Sequence, residues 1–163
     1  GGAAPTVSGF RRGIRLAVDV GKARVGVAQC DPDGMLATPT ETVARGDGTI
    51  GRLIDLVREV SPLEVIVGLP INLRGERTAS TEDAESFAHE LRERIGVPIR
   101  MLDERLSTVS AHSALRASGR NTRSSRTIVD QVAAVVLLQQ ALDIEKSTGR
   151  PPGALLPPAE EPA

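Results

Sequence analysis

A chain of 163 residues with a hydrophobic fraction of 40% is the size of one domain with a real core. A net charge of −1 gives no whole-molecule field aimed at a polyanion, and two phenylalanines with no Trp or Tyr exclude base-stacking platforms for single strands. A single thiol, Cys30, excludes an intrachain disulfide, and no apolar run reaches the roughly 18 to 20 residues of a membrane span.

These features, with no charged-then-apolar leader in view, predict a soluble cytoplasmic protein. Of the 20 basic residues 18 are Arg, the side chain suited to bidentate phosphate contact, although a G+C-rich genome gives the same bias. Residues 1–12 are small and are expected to form a flexible terminus. Residues 13–146 carry the periodic patterns of one domain. Residues 147–163 hold five prolines and read as a disordered tail.

In chain order, Ile14 to Val20 and Val25 to Cys30 alternate as strands around the turn GKAR. Met35 to Val43 is a weaker third strand after the turn signal DPDG. TIGRLIDLVREV sets Ile50, Leu53, Ile54, Val57 and Val60 on one helical face. LEVIVGLP is a short buried strand. STEDAESFAHELRERI is a helix with Ser80 as the expected N-cap. PIRML is a fifth strand, TVSAHSALRAS a helix stopped by Gly119, and SRTIVDQVAAVVLLQQALDIEK a long last helix. This succession predicts an α/β fold: a mixed five-stranded sheet in the order 3-2-1-4-5, strand 2 antiparallel to its neighbours and helices on both faces. The reactive crevice of such a sheet lies beyond the carboxyl ends of its strands.

Three places hold acids that strand and helix patterns do not ask for. Asp19 sits within the most strand-like stretch, on the face of Ala17 and Gly21. Asp103 and Glu104 follow IRML. Asp130 is surrounded by Ile128, Val129, Val132, Ala133 and Ala134. Singly, each has a local explanation: turn amides for Asp19, a helix cap for Asp103, an Arg partner such as Arg105 for Glu104, and the i−4 neighbour Arg126 for Asp130. Converging at one crevice they would repel one another, and hard oxygen ligands so arranged suit Mg²⁺ or Mn²⁺. Such ions serve phosphodiester hydrolysis.

The segments DVGKARVGVA, GLPINLRGE, LDERLST and IVDQVAAVVLLQ resemble the four motifs of the YqgF/RuvX family, in the family's order, from about Arg15 to Leu142. The resemblance implies an RNase H-like domain, related to RuvC-type junction resolvases, and a metal-dependent endonuclease. Its implied substrate is the 5′ end of pre-16S rRNA, with branched DNA such as a Holliday junction as the alternative. It places the catalytic acids at Asp19, Glu104 and Asp130, with Asp103 adjacent in the metal set. The loop RNTRSSR departs from the family's lysine-rich pattern while keeping cations for phosphate.

Cations next to these acids in sequence form the expected nucleic-acid rim: Arg24, Arg74, Arg77, Arg105, Arg120, Arg123 and Arg126. His89 and His112 have no ligand or triad spacing and read as helix-face residues. Two further readings stand beside the nuclease: a nucleic-acid-binding module with weak or no catalysis, and an ATP-handling protein, whose actin-type hairpin DVGKARVGVAQCD resembles but whose second lobe this unrepeated chain lacks. Cys30 is either a small buried hydrophobe or, if exposed, the link of an oxidised homodimer.

Overall fold

The computed structural model describes residues 10–103 and 122–156, the side chains of 122–130 excepted. Nine elements are defined there: β1 (Arg15–Val20), β2 (Arg24–Cys30), β3 (Ala37–Ala44), α1 (Thr49–Val60), β4 (Glu64–Leu69), α2 (Ala79–Arg92), β5 (Ile99–Asp103), α3 (Thr122–Thr148) and β6 (Ala154–Leu155). The sheet order is β3-β2-β1-β4-β5-β6. β2 is antiparallel to β1 and β3, while β1, β4 and β5 run parallel. The expected order therefore holds, extended by one short strand. The expected helix over TVSAHSALRAS and its His112 lie outside the described residues.

Alternation along the strands sorts the core into two layers. Leu16, Val18, Val65, Val67, Ile99 and Met101 point to one face, where they meet Leu53 and Val57 of α1 and Phe87, Ala88 and Leu91 of α2. Ala17, Ala28, Ile66 and Leu102 point to the other, against Ala134, Leu137, Leu138, Ala141 and Leu142 of α3. Those α3 residues recur at i+3 and i+4 and form one stripe. Small side chains on the sheet beneath them let the helix approach closely.

Local chemistry explains where the elements depart from the sequence pattern. The third strand starts at Ala37, two residues late. Asp31 Oδ1 accepts the N–H groups of Met35 and Leu36, each at 2.8 Å, and holds both residues in the turn. These bonds, that of Leu36 foremost, lower the Asp31 carboxyl below its usual value. The N-cap of α2 is Thr78 instead of Ser80: its N–H donates to the Thr81 hydroxyl at 2.9 Å in a capping box. Thr81 also donates to the Pro70 carbonyl, tying the first turn of α2 to the end of β4.

At both ends of the described residues the chain makes specific contacts with the domain. Ala154–Leu155 pairs antiparallel with β5, Leu156 is buried at 7% exposure, and its N–H donates to the Ile99 carbonyl at 2.8 Å. At the other terminus Arg11 enters a charged cluster at the amino end of the parallel strands. Its guanidinium meets Glu64 Oε1 at 2.8 Å and Glu145 Oε1 at 2.8 Å. Arg15, paired in register with Glu64, donates to Glu145 Oε2 at 3.2 Å, and Arg100 donates to Glu64 at 3.2 Å. The Arg15, Glu64 and Glu145 side chains are no more than 2% exposed. Phe10 lies under Arg15, 4.7 Å from guanidinium to ring centroid.

Cys30 is 2% exposed, with its Sγ accepting the Arg15 N–H at 3.3 Å. Burial raises its thiol above the usual value. The accessible thiol that a disulfide-linked dimer needs is thus not present in the fold.

Two outcomes follow from these buried groups. Glu145→Gln leaves Arg15 buried beside a neutral partner and should cost about 3 to 5 kcal/mol in urea unfolding. Burial raises the Glu145 carboxyl, but hydrogen bonds from Arg11 outweigh it and the net shift is downward. Its contribution is therefore complete above the ordinary Glu value and is lost as pH falls through the depressed one, so wild type should lose stability toward acid more steeply than the variant. Cys30 should resist thiol reagents in the folded protein, react fully in denaturant, and give only a monomer band on non-reducing electrophoresis after mild oxidation.

Candidate active site

β1, β4 and β5 lie side by side and parallel, so their carboxyl ends open on one edge of the sheet. Asp19 is the next-to-last residue of β1 and Asp103 the last of β5, and both are half-buried. Asp19 lies opposite Gly26 of β2, which in turn lies opposite Thr42 of β3. Its phase is that of Ala17, the α3 side of the sheet. Asp103 has the phase of Met101 and falls on the α1–α2 side. The two acids thus share an edge without sharing a face.

The long helix is levelled over the same row. Gln131 Nε2 donates to Thr42 Oγ1 at 2.8 Å, and Thr42, Gly26 and Asp19 form one line across the sheet. Two strand spacings separate Thr42 from Asp19, about 10 Å. Asp130 precedes Gln131 in α3 and stands one helical turn before Ala134. The backbone position of Asp130 is therefore close to the Asp19 row; its side chain, like Glu104 entirely, lies outside the described set.

The cations divide by circumstance. Arg24 opens β2 and is half-buried. Arg74 and Arg77 are exposed in the loop leaving β4. Arg77 is engaged by Glu85, with Nη1 to Oε2 at 3.0 Å, a pairing that raises the guanidinium and lowers the Glu85 carboxyl. Arg123 and Arg126 fall in the first turns of α3. Arg105 and Arg120 are outside the described residues.

Sequence reading missed a second basic feature at this edge. An open groove of about 570 Å³ is lined by Lys22, Arg45, Gly46, Ala79, Ser80 and Asp83, next to the turn that follows Asp19. Arg45 donates to the Gly21 carbonyl at 2.9 Å and to Asp83 at 2.8 and 3.1 Å. The Arg45 hydrogen bonds hold the Asp83 carboxyl below its usual value. The signal available was weak: Arg45 ends no periodic pattern, and Asp83 reads as an ordinary first-turn acid.

Asp19 offers hard oxygen donors, and its partner position on β2 is Gly26. Cys30 is at the opposite end of β2, and His89 is exposed in the last turn of α2. The donor chemistry at this edge thus fits a hard divalent cation better than a soft one. Among the described residues no three His, Cys, Asp or Glu side chains form a metal-binding group.

A mixed sheet, helices on both faces and an acid next to the end of the first strand are the features of an RNase H-like fold. The solved structure of Thermus thermophilus RuvC in complex with a Holliday junction substrate superposes with a TM-score of 0.55, covering 85% of this chain and 98% of that one at 18% identity. The family described as RuvX, Holliday junction resolvase, matches residues 13–144. The chain belongs to that family. A Clavibacter michiganensis relative named "Putative pre-16S rRNA nuclease" is 54% identical, over 91% of this chain and 94% of its own. Relatives of the same name from Streptomyces coelicolor (53% identity, 88% of each chain) and Mycobacteroides abscessus (49%, 85% and 86%) agree.

Proposed function

We propose that this protein is an endonuclease that hydrolyses phosphodiester bonds in precursor 16S rRNA, the substrate in its relatives' name, at the carboxyl edge of the sheet. The observation that carries the reading is the row Thr42–Gly26–Asp19 with α3 braced across it through Gln131. It sets a strand-borne carboxylate beneath the helix that bears Asp130.

Asp19, Glu104 and Asp130 are the residues that hold a divalent cation, Mg²⁺ or Mn²⁺, with Asp103 flanking them. Asp103 has the phase of Met101 and lies off the face of Asp19, so the acid that the motif LDERLST implies as the principal partner of Asp19 is Glu104. A bound divalent ion supplies positive charge to a leaving oxygen and a nucleophile at neutral pH. The acids hold that charge in place, and because they repel one another without it, the metal-free site is destabilised locally. The guanidinium groups of Arg24, Arg74, Arg77, Arg105, Arg120, Arg123 and Arg126 orient the phosphate backbone and carry no base readout. A four-way DNA junction offers the same phosphate chemistry, and likeness to RuvC at 18% identity speaks for fold alone.

Asp19→Asn, Glu104→Gln and Asp130→Asn should each reduce cleavage by more than the roughly 10- to 100-fold typical of losing a group behind a metal ligand. Melting temperature should stay level or rise, since one of several repelling charges is gone. The assay compares precursor rRNA and a DNA junction, with Mg²⁺ or Mn²⁺ and with chelator. Wild-type cleavage by all three variants, or loss of fold in all three, refutes the assignment; binding without cleavage by wild type favours the non-catalytic module. Arg120→Glu with Arg123→Glu should weaken binding to every nucleic acid and flatten the log K against log salt slope by about one unit per lost contact.

A further inference from the structure

Leu73 is 86% exposed, the most exposed large hydrophobic residue among those described. Single apolar side chains on a surface are ordinary, and Met35 and Leu36 are exposed because the Asp31 turn holds them there. Leu73 differs in being presented by a rigid tip. Asn72 Oδ1 accepts the N–H groups of Arg74 and Glu76, both at 2.9 Å, and Asn72 Nδ2 donates to the Glu76 carboxylate at 3.1 Å. The Asn72 N–H donates to the Glu76 carbonyl at 3.1 Å, and the Gly75 N–H to the Asn72 carbonyl at 2.9 Å. Gly75 takes φ +81°, a left-handed value that a side chain would oppose. An antiparallel bridge between Ile71 and Arg77 closes the base of the loop. The backbone of the tip is thus braced by Asn72, and it presents an apolar side chain, Leu73, to solvent beside the exposed Arg74.

The position of this tip matters as much as its stiffness. It leaves β4, the strand between β1, which carries Asp19, and β5, which ends in Asp103. Four residues from Leu69 to Leu73 reach at most about 14 Å, or a few base steps at about 3.4 Å each. Arg74, the next residue, is exposed and has no ion-pair partner among the described residues.

We propose that Leu73 is a wedge that enters between two neighbouring bases close to the cleaved phosphate, while Arg74 holds the backbone beside the opened step. The inference rests on the nuclease reading and adds the feature its substrate must have: a base step that unstacks cheaply, at a helix end, a bulge or a branch. Leu is among the side chains that unstack base steps by insertion. A tip ordered beforehand loses little conformational freedom on doing so. Flanking arginines fit a polyanion, whereas an apolar protein partner would call for a broader apolar patch than one residue.

The test uses full-length protein carrying Asp19→Asn, so that substrate stays whole, with 2-aminopurine at successive positions in two probes. One is an RNA helix with a single-stranded 5′ extension, the other a four-way DNA junction. Fluorescence should rise on binding at one position near the single-strand boundary or branch. Adding Leu73→Ala should abolish that rise yet keep affinity within about tenfold, because phosphate contacts carry most of the binding; Leu73→Phe should restore it. The probe that responds identifies which nucleic acid is engaged. An equal rise with Leu73→Ala, or binding with no rise at any position, overturns the wedge and leaves the nuclease reading standing. Failure of the parent protein to bind either probe overturns both.

Discussion

The buried charges at the amino end of the sheet govern where everything else sits. Glu145 near the end of α3 meets Arg11 and Arg15, and Glu64 at the start of β4 meets Arg11 and Arg100. Removing one member of such a set strands the others in low dielectric, so the set acts as a register mark. It fixes which turn of α3 lies over the start of β1. Everything N-terminal in the helix follows at 1.5 Å per residue, through Gln139, whose Oε1 accepts the Ala37 N–H at 3.2 Å, to Gln131 on Thr42. Precision at the carboxyl edge thus begins at the opposite end of the molecule.

The layer between these ends is suited to that task. Ala17, Ala28, Ala134 and Ala141 meet across the sheet–helix interface, and short side chains leave little freedom for the helix to slide. The bulkier layer beneath α1 and α2 supplies most of the apolar burial. One face of the sheet stabilises and the other positions.

Much of this was legible in the residues. Period-two alternation exposed Asp19 as misplaced, and the order of strands and helices dictated the sheet. Other features depend on information that sequence does not display locally. The different faces of Asp19 and Asp103 emerge only from the parallel register that sets Leu69 beside Asp103. Thr78 and Ser80 are equally good caps by residue type; the Thr81 bond to Pro70 decides between them. Glu64 begins a strand just as oddly as Asp19 nearly ends one, yet its meaning needs Arg11, Arg100 and Glu145 brought together from distant parts of the chain. Arg11 itself lies in a stretch with no periodic pattern, so nothing local pointed to its partners.

The proline-rich stretch after α3 has a role that its composition conceals. Gly153 takes φ +67°, and a Cβ there would lie 2.2 Å from the Met101 carbonyl oxygen, so the chain can hug β5 only as glycine. Beyond it, Ala154 and Leu155 occupy part of the outer rim of β5. An unpaired rim is a template for another polypeptide, and proteins blunt such rims with short strands and prolines. Pro151 and Pro152 lack the N–H groups that would extend the ladder further. The tail therefore serves as a selvedge: it finishes the fabric of the sheet on the side where a neighbouring molecule could otherwise be woven in.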